Sequence, residues 1–462
     1  MSTLVKTAFI LLLWIFSSLT LSAQSNMELL GHLDYPQKVN DVWGYAAPDS
    51  TEYALVGTQT GVSIVSLADA ENPVELFFVQ GTETTWRDMK TWQHYAYAVC
   101  DACTDGLLIM DLSDLPNSLP YHYWTELPDT TFEKAHNIFI DEYGYAYISG
   151  TALAGRKTIY LDLFTNPEAP QFIGYGPEEY AHDVYVRNNI LYAAEIYNGQ
   201  VAIYDVSDKS NTILLGSAET PSSFTHNTWL SDDGNTVYTT DEKAYASTTS
   251  YDVSDLSDIK MLDRFFSEAS VGLASIPHNV HVLDNYLIIS HYTDGVVIAD
   301  AQYPDNLVQV AQYDTYPPER VGFNGCWGAY PFLPSGNVLA SDRQSGLFVL
   351  KPNYQRAAYL HGSVSDANTN YPLPNANIFL EGLNSTSSTD AQGNFKTGIA
   401  QGGEFTLSVK KKFYDDEVLN VSLTNDEITQ VNIALKLTPI RSINGIALDK
   451  SSGKPIPNAQ II

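Results

Sequence analysis

Positive charge and sulfur are scarce in this sequence. Its 462 residues include 24 Lys and Arg against 54 Asp and Glu, a formal charge of −30, and only 3 Cys and 5 Met. Affinity for DNA or RNA depends on basic side chains that neutralise phosphates, so nucleic acid is not an expected partner. Three cysteines are also too few to build a four-thiolate metal site.

Apolar runs long enough to cross a membrane are missing after the first residues. At the N-terminus, Lys6 precedes an apolar run at residues 8–16. Residues 21–24 then include small side chains of the kind found at a signal-peptide cleavage site. This pattern is typical of a secretory signal peptide, because a membrane anchor, the alternative, needs ~20 apolar residues. Residues 1–23 are therefore predicted to be a signal peptide. The mature chain, without a transmembrane segment, is predicted to be exported to the extracellular space or the cell surface.

Residues that favour strands and turns are abundant. The sequence contains 30 Tyr, 29 Gly and 22 Pro, and 44% of its residues are hydrophobic. Aromatic residues are enriched in strands, and Gly and Pro in turns. The composition therefore predicts an all-β protein with a large core.

A strand with an aliphatic core and an Asp-like end recurs seven times. In each copy, two further strands come before this strand in the sequence. The first of them begins with a pair of polar residues. Successive pairs lie 44 to 52 residues apart, close to the ~40–50 residues of a propeller blade. Residues 24–352 are therefore predicted to form a seven-bladed β-propeller. The polar pairs are Asn40-Asp41, Arg87-Asp88, His136-Asn137, His182-Asp183, His226-Asn227, His278-Asn279 and Asn324-Gly325.

The seventh copy lacks the fourth strand that follows the other six. A matching strand is present at residues 28–33, near the N-terminus. Pairing of this strand with the last blade would close the ring and remove two open sheet edges. We therefore expect residues 28–33 to be the outer strand of blade seven.

The seven core strands resemble the LVIVD repeat, and the array behind a signal peptide is similar to the choice-of-anchor B family of exported bacterial proteins. The resemblance covers about three quarters of the chain; copies five and seven depart from it, with residues 248–251 and 349–351 in place of the aliphatic-Asp end. It implies export, a propeller and variable C-terminal attachment devices. It implies no established reaction.

The C-terminal part has a different pattern. Residues 353–438 contain Pro374-Asn-Ala and, later, Asp390-Ala-Gln-Gly-Asn-Phe395. In this order they resemble the carboxypeptidase regulatory-like domain, an Ig/transthyretin-like β-sandwich. Pro457-Asn-Ala repeats the first motif 83 residues later. Residues 439–462 are therefore expected to be the truncated start of a second such domain.

The polar pairs place several titratable residues on one face of the propeller, here called the top, where each innermost strand begins. Second strands end on the same face. Imidazoles interleaved with carboxylates suit a divalent metal ion such as Fe, Zn, Mn or Ca. The candidate ligands are His136, His182, His226 and His278 from the strand starts, and Glu195, Asp241 and His291 from the strand ends.

Two interpretations of the histidines stay open. Four His on a propeller resemble, in arrangement only, the iron centre of carotenoid-cleaving oxygenases. The alternative is structural, with each His hydrogen-bonding a turn of its own blade. Arg87 and Arg343 lie on the other side of the rim and could contact anions.

The three cysteines divide into a close pair and a single residue. In an exported protein, Cys100 and Cys103 are expected to form a local disulfide rather than a redox or zinc motif. Cys326 is expected to be reduced and buried. Trp43, Trp229 and Trp327 are expected to pack between blades rather than to form a platform for a sugar.

Two classes of function fit these features. The favoured one is an exported binding or scaffold module for an extracellular protein or glycan, with the β-sandwich as a stalk. The alternative is a metal-dependent enzyme or small-molecule binder that uses the top face. The sequence contains no Gly-x-Ser-x-Gly, phosphate-loop or His-Glu-x-x-His motif, which favours the first class.

Overall fold

The computed structural model describes residues 24–151, 153, 155, 158–317, 322–439 and 445–459. The expected signal peptide, residues 1–23, lies outside them. Within the described residues the only helix is one 3₁₀ turn, Glu268–Ser270. No helix in this part of the chain has the length and apolar character needed to cross a membrane. The chain divides near Ala357 into two compact units.

The first unit is a ring of seven antiparallel sheets, the blades of a β-propeller. Strands follow each other in sequence from the central channel outward, so the first strand of each blade is innermost. Blade 1 contains β3 (Val39–Ala46), β4 (Glu52–Thr58), β5 (Gly61–Ser66) and β6 (Val74–Gln80); blade 2 contains β7 (Arg87–Trp92), β8 (Tyr95–Cys100), β9 (Leu107–Asp111) and β10 (Tyr121–Trp124); blade 3 contains β11 (Asn137–Ile140), β12 (Tyr145–Ser149), β13 (Ile159–Asp162) and β14 (Gln171–Tyr175); blade 4 contains β15 (Val184–Arg187), β16 (Ile190–Glu195), β17 (Gln200–Asp205) and β18 (Ile213–Glu219).

The N-terminal segment completes the ring. It supplies β1 (Gln24–Ser25) to the outer edge of blade 6 and β2 (Met27–Leu33) to blade 7. In blade 7, β2 pairs with the last propeller strand from Met27 opposite Pro352 to Leu33 opposite Leu347. The remaining strands are β19 (Thr225–Leu230), β20 (Thr236–Asp241), β21 (Thr248–Asp252) and β22 (Lys260–Phe265) in blade 5, β23 (Asn279–Leu283), β24 (Tyr286–Ser290), β25 (Val296–Asp300) and β26 (Val308–Tyr313) in blade 6, and β27 (Cys326–Tyr330), β28 (Val338–Asp342) and β29 (Gly346–Pro352) in blade 7.

The Asp that ends the third strand of most blades shapes the turn after it. Asp205 accepts the backbone N–H of Ser207 at 2.8 Å, and Asp252 accepts that of Ser254 at 2.9 Å. Such an Asx turn satisfies a backbone donor as the chain leaves the sheet. The recurring Asp is therefore a structural residue of the repeat.

The second residue of four polar pairs, in blades 1, 2, 3 and 5, joins one blade to the next. Its side-chain oxygen accepts the N–H of the residue after the corresponding pair in the following blade. In blade 4, Asp183 instead accepts the side-chain amide of Asn227. Because each bond crosses a blade boundary, the set forms a polar belt around the channel. The donors and acceptors are Met89 to Asp41, Ile138 to Asp88, Val184 to Asn137 and Val280 to Asn227.

In blade 7 the belt position differs from the expected Asn324-Gly325. Gly328 pairs with Ser341, as Asn279 pairs with Ser290 in blade 6. The equivalent pair is therefore Trp327-Gly328, three residues later, because a longer loop precedes this strand. The indole of Trp327 takes the place of an imidazole at the top of the channel.

The second unit is a β-sandwich of two sheets. One has the strand order β33-β30-β36, with β30 and β36 parallel, and the other has the order β32-β31-β34-β35. Buried apolar side chains such as Val364, Ile378 and Leu407 form its core. Residues 445–459 are mostly exposed and contain one bridge, between Leu448 and Pro455. The strands are β30 (Ala358–Asp366), β31 (Asn377–Leu380), β32 (Ser387–Ser388), β33 (Asn394–Ile399), β34 (Gly403–Lys410), β35 (Glu417–Leu423) and β36 (Ile428–Leu435).

Candidate functional site

Four imidazoles form a continuous row at the top of the propeller channel. The ring centroids are 4.0 Å apart for His136 and His182, 4.1 Å for His182 and His226, and 4.4 Å for His226 and His278. The indole of Trp327 follows at 4.7 Å from His278. Each ring stands where an innermost strand begins, so the blade repeat itself brings the four together.

His226 and His278 are each attached to the next blade through one ring nitrogen. His226 Nδ1 lies 3.1 Å from the carbonyl oxygen of His278, and His278 Nδ1 bonds the carbonyl oxygen of Trp327. Both carbonyls only accept, so each Nδ1 is the donor and carries the proton. The lone pair of each ring is consequently on Nε2.

The Nε2 atoms of these two rings approach one carboxylate. His226 Nε2 lies 3.8 Å from Glu242 Oε2, and His278 Nε2 lies 3.8 Å from Glu242 Oε1. The hydroxyl of Tyr292 donates a hydrogen bond to Oε1 of the same carboxylate. One ligand atom from each of His226, Glu242 and His278 lies within 4.8 Å of the other two. We call these three residues the top triad.

His136 and His182 have carboxylate partners instead. His136 Nδ1 lies 3.2 Å from Asp101 Oδ2, and His182 Nδ1 lies 2.9 Å from Asp183 Oδ1. His136, His182 and Asp183 also have ligand atoms within 4.8 Å of one another. The row therefore consists of two differently supported halves.

The two halves differ in their electrostatics. Burial lowers the pKa of His226 well below its usual range and that of His278 to about 3. Burial also lowers the pKa of His182, but the adjacent Asp183, with smaller contributions from Glu242 and the backbone of His226, outweighs burial, and the net pKa shift is upward. Asp183 in turn has its pKa lowered by His182 despite burial. At neutral pH the top triad holds two neutral imidazoles, the form that binds metals.

Three of the predicted ligands lie elsewhere. Among the described residues, Glu195, Asp241 and His291 belong to no group of three ligand atoms within 4.8 Å. Glu195 accepts hydrogen bonds from Gln200 and Tyr204, and Asp241 accepts the N–H of Ser222.

His291 has partners of its own near the top face. Its Nδ1 lies 3.0 Å from the hydroxyl of Ser275 and 3.4 Å from a carboxylate oxygen of Asp294. These contacts, like those of Glu195 and Asp241, support the local turns. They do not join His291 to the four-imidazole row.

Glu242 was missed by sequence reasoning. It directly follows Asp241, the last residue of β20, and the repeat alignment selected only that last residue. A clue was available in the sequence, because Asp241-Glu242 is a pair of adjacent acids at one strand end. The acid that faces the histidines is the second of the two.

The two arginines proposed for anions donate to backbone carbonyls. The buried Arg87 binds the carbonyl oxygens of Thr58 and Thr82, and burial lowers its pKa. Arg343 donates to the carbonyl of Phe323 at 2.8 Å and lies over the ring of Trp327.

The cysteines lie apart from the histidine row. Cys100 and Cys103 are joined by a disulfide. Cys326 is buried and free, and burial raises the pKa of its thiol well above the usual range. A thiol that is buried and protonated is chemically inert.

Below the row and the polar belt, aromatic side chains from the innermost strands line the channel. Trp43 and Trp229 belong to this layer, whereas Trp327 belongs to the row. Trp229 packs against Tyr185 at 4.6 Å and against His281 at 4.5 Å. The seven positions of this layer, three residues after the row positions, are Trp43, Lys90, Phe139, Tyr185, Trp229, His281 and Tyr330.

Comparison with known proteins finds one family model and similar solved structures. Residues 360–441 match the family model of the CarboxypepD_reg-like domain. No curated protein matches the chain. Among solved structures, the β-propeller domain of Cps50 (Swd1) from Myceliophteria_thermophila is similar, with 11% identity and a TM-score of 0.49 over 70% of this chain and 98% of that one.

Proposed function

We propose that this chain is an exported binding protein of the LVIVD-repeat, choice-of-anchor B type. In this proposal the propeller carries the binding surfaces for an extracellular protein, glycan or small molecule, and the β-sandwich is a stalk. The order of the units supports it, since a propeller is followed by a CarboxypepD_reg-like domain, a domain type typical of exported proteins. A rigid ring with seven sets of loops suits a binding role, although propellers host many functions.

The proposed ligand of the top face is a divalent first-row metal ion held by the top triad. The observation that carries this proposal is that His226 Nε2 and His278 Nε2 each lie 3.8 Å from a different oxygen of Glu242. Ligand atoms about 2.1 Å from one ion are roughly 3 to 4 Å apart. The three side chains are therefore spaced as ligands of a common ion.

The hydrogen bonds behind the ligands fit the same role. A metal-bound His usually donates its other ring N–H to a carboxylate or a backbone carbonyl. His226 and His278 do so through Nδ1. Tyr292 holds Glu242 by donating to its carboxylate. These partners set the tautomer of each ring and the orientation of the acid without help from the ion.

Two imidazoles and one carboxylate occupy three coordination positions. This set suits Fe²⁺, Mn²⁺ or Zn²⁺ and leaves further positions open for water or a polar ligand. Ca²⁺ prefers oxygen ligands and fits the triad less well. We propose metal-dependent binding here and assign no reaction.

Metal analysis of the chain purified without a His tag tests the proposal. The protein is incubated with Zn²⁺, Mn²⁺ or Fe²⁺ in turn, desalted, and analysed for bound metal. We expect about one ion per chain, and at least tenfold weaker affinity in His226→Ala and Glu242→Gln. His94→Ala removes a more exposed His beside Asp111 and is the matched control. A wild-type chain that retains none of the three metals, or variants that bind as wild type does, would refute the site.

A further inference from the structure

A cavity lies at the end of the propeller channel opposite the top triad. It has a volume of about 510 Å³, and its wall includes Arg187, the last residue of β15, and Asn188, in the turn that follows. Because innermost strands start at the top, this turn is on the bottom face. Small-molecule pockets usually measure ~300–1,000 Å³. Six aromatic side chains line this one: Trp43, Phe139, Tyr185, Trp229, Tyr330 and Phe332.

The aromatic rings form a preformed wall. Phe332 stacks on Trp229 with centroids 5.6 Å apart and an interplanar angle of 19°. Tyr185 lies 4.6 Å from Trp229, and Phe139 lies 4.9 Å from Tyr185. Several rings come from different blades and hold each other in place. Such a wall favours a flat or ring-shaped apolar body.

Most charged groups of the cavity already have partners within the protein. Lys90 Nζ lies 2.7 Å from an Asp88 carboxylate oxygen and 4.2 Å from the centroid of the Trp43 ring. Asp141 accepts the hydroxyl of Tyr147 at 2.8 Å.

The remaining acid of the cavity wall is also engaged. Glu142 accepts the backbone N–H of Asn188 at 2.7 Å. Lys90, Asp141 and Glu142 therefore each interact with another group of the protein.

Arg187 is the exception. Within the described residues its guanidinium has neither a hydrogen bond nor an ion pair, and it lies beside Gly234, where the missing side chain leaves space for it. Asp233 lies near enough to interact electrostatically with Arg187: hydrogen bonds from Ser231 and Asn235 first, and the charge of Arg187 more weakly, lower the pKa of its carboxyl. The two side chains, both in the described part of the chain, make no direct contact. A guanidinium presents donors in a planar fork that matches a carboxylate.

We propose that this cavity binds a small organic anion with an aromatic body and a carboxylate. The body packs among Phe139, Tyr185 and Trp229, and the carboxylate accepts the paired N–H groups of Arg187. The site is separate from the top triad and shares no residue with it, so either proposal can fail alone. It adds a small-molecule ligand to the proposed binding role.

Calorimetric titration of the full chain tests this proposal. The probes are phenylacetate, indole-3-acetate and the uncharged 2-phenylethanol. We expect at least one acid to bind saturably, and 2-phenylethanol to bind at least tenfold more weakly. In Arg187→Gln the acid should lose at least tenfold in affinity, while 2-phenylethanol should change little, since the aromatic wall is intact.

A matched control separates this site from a general charge effect. Arg264→Gln removes one positive charge from another arginine of the propeller, whose guanidinium binds Ser247 and lies over Phe266, outside the cavity wall. Its affinity for the acids should equal that of wild type. Absence of saturation with both acids, equal binding of 2-phenylethanol, or equal losses in Arg187→Gln and Arg264→Gln would each overturn the proposal. Melting temperatures of both variants verify that they are folded.

Discussion

At the residue scale, the four imidazoles of the row are held in two different ways. His226 and His278 use Nδ1 on backbone carbonyls of the next blade, whereas His182 uses Nδ1 on the side chain of Asp183. A hydrogen bond to a carbonyl fixes a neutral ring and keeps its Nε2 lone pair. A bond to a buried carboxylate instead builds an ion pair whose members depend on each other.

The first prediction compares two neighbouring histidines. In His226→Ala, metal affinity should fall at least tenfold, because a ligand of the top triad is lost. In His182→Ala, the free energy of unfolding should fall by about 3–5 kcal/mol, because Asp183 stays buried without its charged partner and keeps only the hydrogen bond from Asn227. Metal affinity should change less than in His226→Ala. Metal titration and urea unfolding of both variants measure the two quantities. If His182→Ala loses as much affinity as His226→Ala, the division of the row is wrong.

The second prediction concerns Asp41, a buried acid of the polar belt. Burial first, and then the neighbouring Asp88, raise its pKa well above the usual range. The folded state therefore binds a proton more readily than the unfolded state, and the contribution of Asp41 to stability falls as pH rises from its unfolded pKa through its raised folded pKa. Asp41→Asn should be more stable than wild type at pH 7, since an amide oxygen can still accept the N–H of Met89.

Urea unfolding between pH 4.5 and 8 measures this effect. The gain in Asp41→Asn should grow with pH across that range. Asp34→Asn, which changes an acid that is 87% exposed, is the control and should differ little from wild type. A loss of stability in Asp41→Asn at every pH would show that the carboxylate form is the favoured one in the fold.

At the scale of single elements, repeat spacing was enough to predict the blades, because each blade is one supersecondary unit of nearly constant length. It was not enough to set the register of β27. There the loop before the strand is longer, and only backbone pairing of Gly328 with Ser341 identifies the equivalent positions. The length of a surface loop is not fixed by packing. Sequence spacing therefore cannot predict the register of a strand that follows a loop of unusual length.

Repeat spacing also explains why only some residues of the candidate site could be predicted. The strand starts predicted the four histidines, because a strand start is a fixed position of the repeat. The acids at the strand ends were predicted by position alone. Glu195 is bonded to Gln200 across its own hairpin, and Asp241 is bonded to Ser222 in the loop before β19. Which acid of Asp241-Glu242 faces the channel depends on how the chain turns after β20. The conformation of that turn is not shared by the other blades, so the repeat pattern cannot predict it.

The third prediction concerns β2. A chain that starts at Tyr35 lacks this strand and leaves β29 as an open edge, whereas a chain that starts at Ser25 keeps it. Six residue pairs join β2 to β29. At about 1 kcal/mol for each ladder hydrogen bond, removal should lower the free energy of unfolding by several kcal/mol and promote association through the free edge. Thermal unfolding and light scattering compare the two chains. Equal melting temperatures would show that closure by β2 is dispensable.

At the scale of the whole molecule, the net charge favours cations over anions near the protein. The chain has a formal charge of −30, and a strongly negative protein raises the local concentration of cations at its surface. The proposed ion and the proposed organic anion use opposite ends of one channel. The polar belt lies between the top triad and the aromatic layer that lines the lower cavity, and the two proposed sites share no residue.

The last prediction assigns metal stabilisation to one of the two units. A ligand that binds only the folded state raises the free energy of unfolding by RT ln(1 + [L]/Kd), about 2.7 kcal/mol at one hundred times Kd. The top triad belongs entirely to the propeller unit. Metal should therefore raise the melting temperature of the propeller transition and leave that of the β-sandwich transition unchanged. A separate scan of residues 358–439 produced alone identifies the β-sandwich transition. Calorimetric scans of the full chain with Zn²⁺ and with EDTA measure both transitions, and His226→Ala should abolish the shift. A shift of the β-sandwich transition, or an equal propeller shift in His226→Ala, would place the ion outside the top triad.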